Sequence, residues 1–194
     1  MTRNSDGAIR KRLADDTRAA HEGLHVHLLL AQLTRPSLEP ETYLACLRAN
    51  LGFYSGLEAA RQASGLLSAF HLRREEDALL EDLGTDTRKP GIPFDYQDDP
   101  DFMAGALYVA HGAQFGRKLI AKSVKHSNPN APVSFFALPA DRAVWRQLLQ
   151  KMERSGQTPE RYTRLLAGAN TAFDLMRCCA DAQAAGCAQL ALPA

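Results

Sequence analysis

The chain has no long apolar run. No stretch approaches the ~20 consecutive apolar residues that a membrane-spanning helix requires, so no transmembrane segment is expected. It also lacks an excess of charge of either sign. Lys and Arg number 23 against 22 Asp and Glu, for a net charge of +1, which argues against a nucleic-acid or membrane-surface partner. Strand signals are nearly missing, with no sustained alternation and no Asn-Gly or Asp-Gly hairpin turn. Cysteine is scarce. Cys46, Cys178, Cys179 and Cys187 form no C-x-x-C pair, which suits neither a zinc knuckle nor a disulfide framework. They read as reduced thiols. The first sixteen residues are polar and carry no apolar signal-peptide core, so the expected compartment is the cytoplasm.

What remains is an ordinary globular composition. Of 194 residues, 45% are hydrophobic and 23% charged, enough for one sizeable core. The expectation is one all-α domain over residues 1–194, with loose tails at 1–6 and 187–194. Helical periodicity runs throughout. A first helix is expected from about residue 6 to residue 33, breaking near Gly23, with Leu13, Thr17, Ala20, Leu24 and Leu28 as its inner stripe. Pro40 suits the first turn of a second helix, whose buried face is Tyr43, Leu47, Leu51, Tyr54 and Leu57. A third spans about 66–83, with Arg73-Arg74-Glu75-Glu76-Asp77 as a solvated face. Residues 84–98, broken by glycine and proline, read as a loop. A helix over about 100–127 contains Gly105, Gly112 and Gly116. Each interior glycine costs roughly 1 kcal/mol against alanine, which points to a backbone that must approach something flat or bulky. Asp141 caps a helix over about 141–154, and a last one runs over about 159–184, with Tyr162, Leu165, Leu166, Ala169, Phe173 and Met176 inward. The count is six to eight helices.

Two features carry chemistry. His21 and His25 lie four apart, on one face of a helix. With Glu22 between them they spell H-E-x-x-H, the zinc-protease pattern. The longer form fails, because the segment continues Val26-His27-Leu28, and no sheet edge is expected to hold a peptide. Taken alone, the two histidines also fit an ordinary helix surface, and the glycines fit tight helix packing. A cofactor-free helical interaction module is the remaining reading of that kind. His27, His71 and His126 read as surface residues, and Tyr43, Phe53 and Tyr54 as core.

The combination resembles the haem oxygenase family, in particular its compact bacterial, phytochrome-associated members. Leu13-x-x-x-Thr17-Arg18-x-x-His21-x-x-Leu24 is similar to the family's phrase around its proximal histidine. Gly105-Ala106-Leu107-Tyr108-Val109-x-x-Gly112-x-x-x-Gly116 looks like its distal-helix phrase, G-A-L-Y-V-x-E-G-S-x-L-G-G. Phe135-Phe136, Thr158-Pro159 and Asn170-Thr171-Ala172-Phe173 follow in the family's order. The resemblance implies an all-α haem-oxygenase-like bundle that clamps haem, at once substrate and cofactor, between the first helix and the glycine-rich one. The activity it implies is oxidative opening to biliverdin, carbon monoxide and ferrous iron. Electrons would come from a ferredoxin, flavodoxin or reductase, and a bacteriophytochrome is a candidate recipient of the biliverdin. It implies His21 as the iron ligand, Gly112 and Gly116 as the catalytic distal glycines, and Phe173 as an aromatic beside the haem. Arg18, which could equally face solvent, is a candidate propionate partner, and Arg142, Arg146 and Lys151 are further basic candidates.

The chain departs from the family at three points. His111-Gly112-Ala113 stands where bacterial members carry Glu-Gly-Ser. Arg117 replaces the second glycine of a Gly-Gly pair, and His25 stands where a glutamate is common. Arg117 either points away or reaches a propionate as a haem-binding residue. Alternatively, Arg117 or His111 enters the pocket and leaves a haem-binding protein with altered or lost activity.

Overall fold

The computed structural model describes residues 7–86, 89 and 91–190. Nine α-helices follow one another among the described residues: α1 (Ala8–Asp16), α2 (Arg18–His25), α3 (Pro40–Ser64), α4 (Arg73–Leu83), α5 (Pro100–Gly112), α6 (Arg117–Ser127), α7 (Ser134–Ala137), α8 (Arg142–Ser155) and α9 (Pro159–Leu190). Short 3-10 turns lie at Leu30–Thr34, Ser68–Phe70 and Ala113–Phe115. No strand occurs among the described residues, as the missing alternation implies, and none of their helices is long and apolar enough to cross a membrane.

The centre of the bundle is the crossing of α5 with α9, the most extensive helix contact, backed by α3. Its closeness depends on two glycines. A Cβ on Gly105 would lie 1.9 Å from the Leu165 carbonyl oxygen, and one on Gly168 would lie 1.8 Å from that of Phe102. The two backbones therefore touch through hydrogen atoms only. Gly105 is a packing glycine. The ends of the crossing are pinned by charge: Arg161 Nε donates to Oδ2 of the buried Asp101 at 2.8 Å. Asp99 caps α5 by accepting from the amides of Asp101 and Phe102, and Asp141 caps α8 in the same way.

Helix α3 begins at Pro40 and buries the face read from its periodicity, Tyr43, Leu47, Leu51, Tyr54 and Leu57. Elsewhere the structure differs from the expected pattern. The first helix breaks at Thr17, not Gly23. Thr17 is buried and its Oγ1 donates back to the Leu13 carbonyl at 2.7 Å, a bond that bends helices. The chain turns again after His25, and Leu28 is 82% exposed instead of joining the stripe. That turn is held by His27, expected at the surface. Its Nδ1 accepts from the Leu29 amide and its Nε2 meets Asp181 of α9 at 2.9 Å. The third helix starts at Arg73, because Gly65 and Leu67 take left-handed φ values of 66° and 51° and reverse the chain first. Within its charged run Glu75 is buried, not solvated. The expected helix over 100–127 divides into α5 and α6, with the 3-10 turn between them. Of the expected tails at 1–6 and 187–194, residues 1–6 and 191–194 lie outside the described residues, while 187–190 continue α9 as helix. Among the described cysteines Cys178 and Cys179 are free thiols, and Cys46 donates to the Leu29 carbonyl.

Candidate functional site

Helix α2 buries no residue of its own. It lies as one wall of a cavity of about 870 Å³, within the range of small-molecule and cofactor sites. Arg18, His21, Glu22, Leu24 and His25 project from it into the lining, as their three- and four-residue spacing dictates. The kink between α5 and α6 forms a separate wall, with Gly112, Ala113, Phe115 and Gly116. Phe53 and Tyr54 of α3, Trp145 of α8, and Phe173 and Met176 of α9 complete it.

The kink is open because of its glycines. A Cβ on Gly116 would meet nothing nearer than the Ala113 carbonyl at 3.8 Å, and one on Gly112 would rest at 3.6 Å from the Trp145 ring. Neither is demanded by protein packing, in contrast to Gly105. Both leave backbone bare toward the cavity.

His21 is solvent-accessible, and its ring stands edge-on to Phe173 at 6.2 Å. Its Nε2 lies 3.3 Å from Nε2 of His25. Partial burial, then the neighbouring His25, hold its pKa below the ordinary histidine value, with Glu22 pulling the other way. Both effects favour the neutral imidazole, the form that can ligate a metal. Arg18 faces the same cavity and pairs with Asp15.

The sequence-derived residues separate cleanly. His21, Arg18, Gly112, Gly116 and Phe173 share one cavity, although they are far apart in the chain. Arg117 does not join them. It is 2% exposed and turns into the core, where Nη1 meets Glu75 at 3.2 Å and Nη2 donates to the Tyr54 hydroxyl at 2.8 Å. It points away, and its expected role as a haem-binding residue is corrected accordingly. His111 is likewise buried, with Nε2 at 3.2 Å from the Phe70 carbonyl, and does not line the cavity. Arg142, Arg146 and Lys151 are absent from the lining. Arg10 is present beside Arg18.

Sequence reasoning missed the aromatic wall. Trp145 stacks on Tyr108 with ring centroids 5.5 Å apart and meets Phe115 at 5.4 Å. Tyr108 lay within the Gly-Ala-Leu-Tyr-Val phrase, and Trp145 is the sole tryptophan; nothing in their spacing announced that they would meet. Tyr54 and Phe53 are core residues that also face the cavity.

The zinc reading finds no support in this geometry. A catalytic zinc takes three protein ligands, and no cluster of three or more His, Cys, Asp or Glu side chains suited to a metal exists among the described residues.

No protein-family model matches the chain. A haem oxygenase of Xanthomonas campestris pv. campestris is 28% identical over 169 residues, covering 80% of this chain and 99% of that protein. Solved structures share the fold. A haem oxygenase of Leptospira interrogans superposes with a TM-score of 0.67 at 19% identity, covering 90% of this chain and 99% of that one. Haem oxygenase-1 of the cyanobacterium Synechocystis, solved in complex with haem, gives 0.69 at 15% identity and covers 94% and 95%. A haem oxygenase of Neisseria meningitidis, solved with NO and CO bound, gives 0.63 at 21% and covers 90% and 91%. In sequence the chain is similar to a haem oxygenase along most of its length, and its fold is that of the solved haem oxygenase structures.

Proposed function

We propose that the chain binds haem in this cavity, where His21 would hold its iron, and cleaves it oxidatively to biliverdin, carbon monoxide and ferrous iron. The observation that carries the reading is the meeting of the His21 imidazole and a bare-backbone kink in one mainly aromatic and aliphatic cavity of about 870 Å³. The residues present fit the group. His21 offers a nitrogen donor, Arg10 and Arg18 offer cations for propionates, and Phe173, Trp145 and Met176 offer apolar contact.

Bound haem supplies both the iron that activates oxygen and the macrocycle that is opened, with electrons from an external ferredoxin, flavodoxin or reductase. The protein's part is positioning. His21 would hold the iron from α2. Gly112 and Gly116 would leave room for the macrocycle close to the kink, where a side chain would intrude. The apolar lining excludes bulk water. Arg117 and His111 do not line the cavity, so neither competes as a second ligand. The product would suit iron acquisition or chromophore supply to a bacteriophytochrome, with cytoplasmic location as the matching expectation.

The test is a hemin titration of the protein and of His21→Ala, followed by ascorbate or a ferredoxin system in oxygen. Saturable one-to-one binding with a Soret band, its loss in His21→Ala, and conversion to a broad red biliverdin band are expected. Absence of stoichiometric binding overturns the proposal. The kink residues that face the cavity carry no hydrogen-bonding side chain. Binding without turnover would therefore support the narrower reading of a haem-binding protein with altered or lost activity.

A further inference from the structure

Arg117 stands where the resemblance leads one to expect glycine, and its burial at 2% exposure calls for a physical account. A buried guanidinium is costly unless its protons find acceptors. This one lies 4.4 Å over the Phe135 ring, pairs with the buried Glu75 and donates to the Tyr54 hydroxyl. That hydroxyl in turn donates to the Ala110 carbonyl at 3.2 Å. Ala110 is in the last turn of α5, and Arg117 is the first residue of α6. A single hydroxyl from α3 thus grips both limbs of the kink, in addition to the kink's own bonds from the Ala113 amide to the Val109 carbonyl and from the Gly116 amide to the Ala113 carbonyl at 3.2 Å, and to Gln114 Oε1, which accepts from the Asp141 amide of the α8 cap at 2.6 Å.

We infer that Tyr54, Arg117 and Glu75 form a staple that sets the angle of the α5–α6 kink from behind, and so fixes how far the bare backbone at Gly112–Gly116 stands from whatever occupies the cavity. They are positioning residues. Tyr54 is the link between staple and cavity, since it also contributes to the lining. Two interior glycines leave the kink with little stiffness of its own, and Ala113 adds no polar tie through its side chain. The buried cation supplies the constraint that the local sequence omits. The second half of the inference, an effect on the occupant, rests on the haem reading. The first half does not.

The experiment therefore has a ligand-free arm. Amide exchange is measured across the full-length protein for wild type, Tyr54→Phe, Arg117→Met and Arg117→Lys. Tyr54→Phe keeps the ring and removes both hydrogen bonds. Exchange at residues 112–117 is expected to quicken tenfold or more in Tyr54→Phe and Arg117→Met, while amides in the middle of α3 and α9 keep their rates. Arg117→Lys, which retains a donor to the hydroxyl, recovers part of the protection. Unchanged exchange at the kink, or equal acceleration throughout the bundle, overturns the staple. In a second arm the ferrous carbon monoxide complex of the hemin-loaded protein is read by its C–O stretching band. A shift or broadening in Tyr54→Phe, with partial recovery in Arg117→Lys relative to Arg117→Met, supports control of the occupant. An unmoved band refutes that half. Failure to bind hemin in wild type would count against the haem reading and leave the exchange result standing.

Discussion

Adding one methyl group at Gly105 should do more damage than its size suggests. The new Cβ would sit 1.9 Å from the Leu165 carbonyl oxygen, 2.8 Å from its carbon and 3.0 Å from the Ala169 nitrogen. Ordinary contact begins at about 3.4 Å, so α5 and α9 must separate by more than 1 Å along that direction. All three neighbours are backbone atoms inside a helix, and no rotamer change can relieve the clash. Overpacking a core costs about 1–3 kcal/mol; with backbone on both sides the upper figure applies. Alanine returns about 1 kcal/mol of helix propensity. The net expectation is roughly 2 kcal/mol of lost stability, equivalent to ~4–8 °C in Tm for a chain of this length. Urea unfolding followed by the fluorescence of Trp145 measures it. Gly23→Ala is the control: Gly23 is an α2 residue whose added Cβ would meet nothing within 4 Å, so the same substitution should gain up to ~1 kcal/mol. Equal stability of Gly105→Ala and wild type would refute the claim that this crossing is in backbone contact. The variant should also weaken hemin binding, because α5 carries Gly112 and α9 carries Phe173.

Three further outcomes follow from the same geometry. Asp82 is buried and accepts from the amides of Ser134 at 2.7 Å and Phe135 at 2.9 Å; Asp82→Ala leaves both donors unmatched and should cost about 2–4 kcal/mol in urea unfolding. Burial holds the pKa of His111 below its ordinary value, against the opposing pull of the Phe70 carbonyl, Glu75 and Asp141 and with the aid of Arg117. The unfolded chain then binds the extra proton first as pH falls below ~6.5. The stability from this residue is full above that pH and declines toward the lowered native pKa, by at most ~1.4 kcal/mol per pH unit. His111→Gln should therefore flatten the difference in unfolding midpoint between pH 7.5 and pH 5.5, and an unchanged difference would count against it. Trp145→Ala opens the wall behind Gly112 and should weaken hemin binding at least tenfold with His21 intact; an unaltered titration would remove Trp145 from the site.

Helix content, the start of α3 at Pro40, the cap at Asp141, and the inner face of α3 were all legible locally, because each depends on spacing within one element. The proximal and distal phrases were legible through their resemblance to a known family. Gly105 and Gly116 look alike in sequence and differ entirely in the fold. One is forced by the α9 backbone, and the other opens onto a cavity. Nothing local distinguishes them, since the partner is some sixty residues away or is not protein at all. The charged run containing Glu75 looked solvated for the same reason: its cation, Arg117, reaches it across 42 residues of chain.

By itself, then, the sequence determined that the chain is helical and where α3, α5, α8 and α9 begin, and it singled out His21, Gly112 and Gly116 as candidates for binding a haem. Periodicity and capping are encoded within a few residues, and motif likeness needs no contacts. Tertiary structure alone decided that the long helices break at Thr17 and at Gly112–Gly116, that Trp145 closes the cavity beside Tyr108, and that Arg117 turns inward. Each of these depends on what lies opposite a side chain, and that is settled only when α3, α5 and α9 pack together.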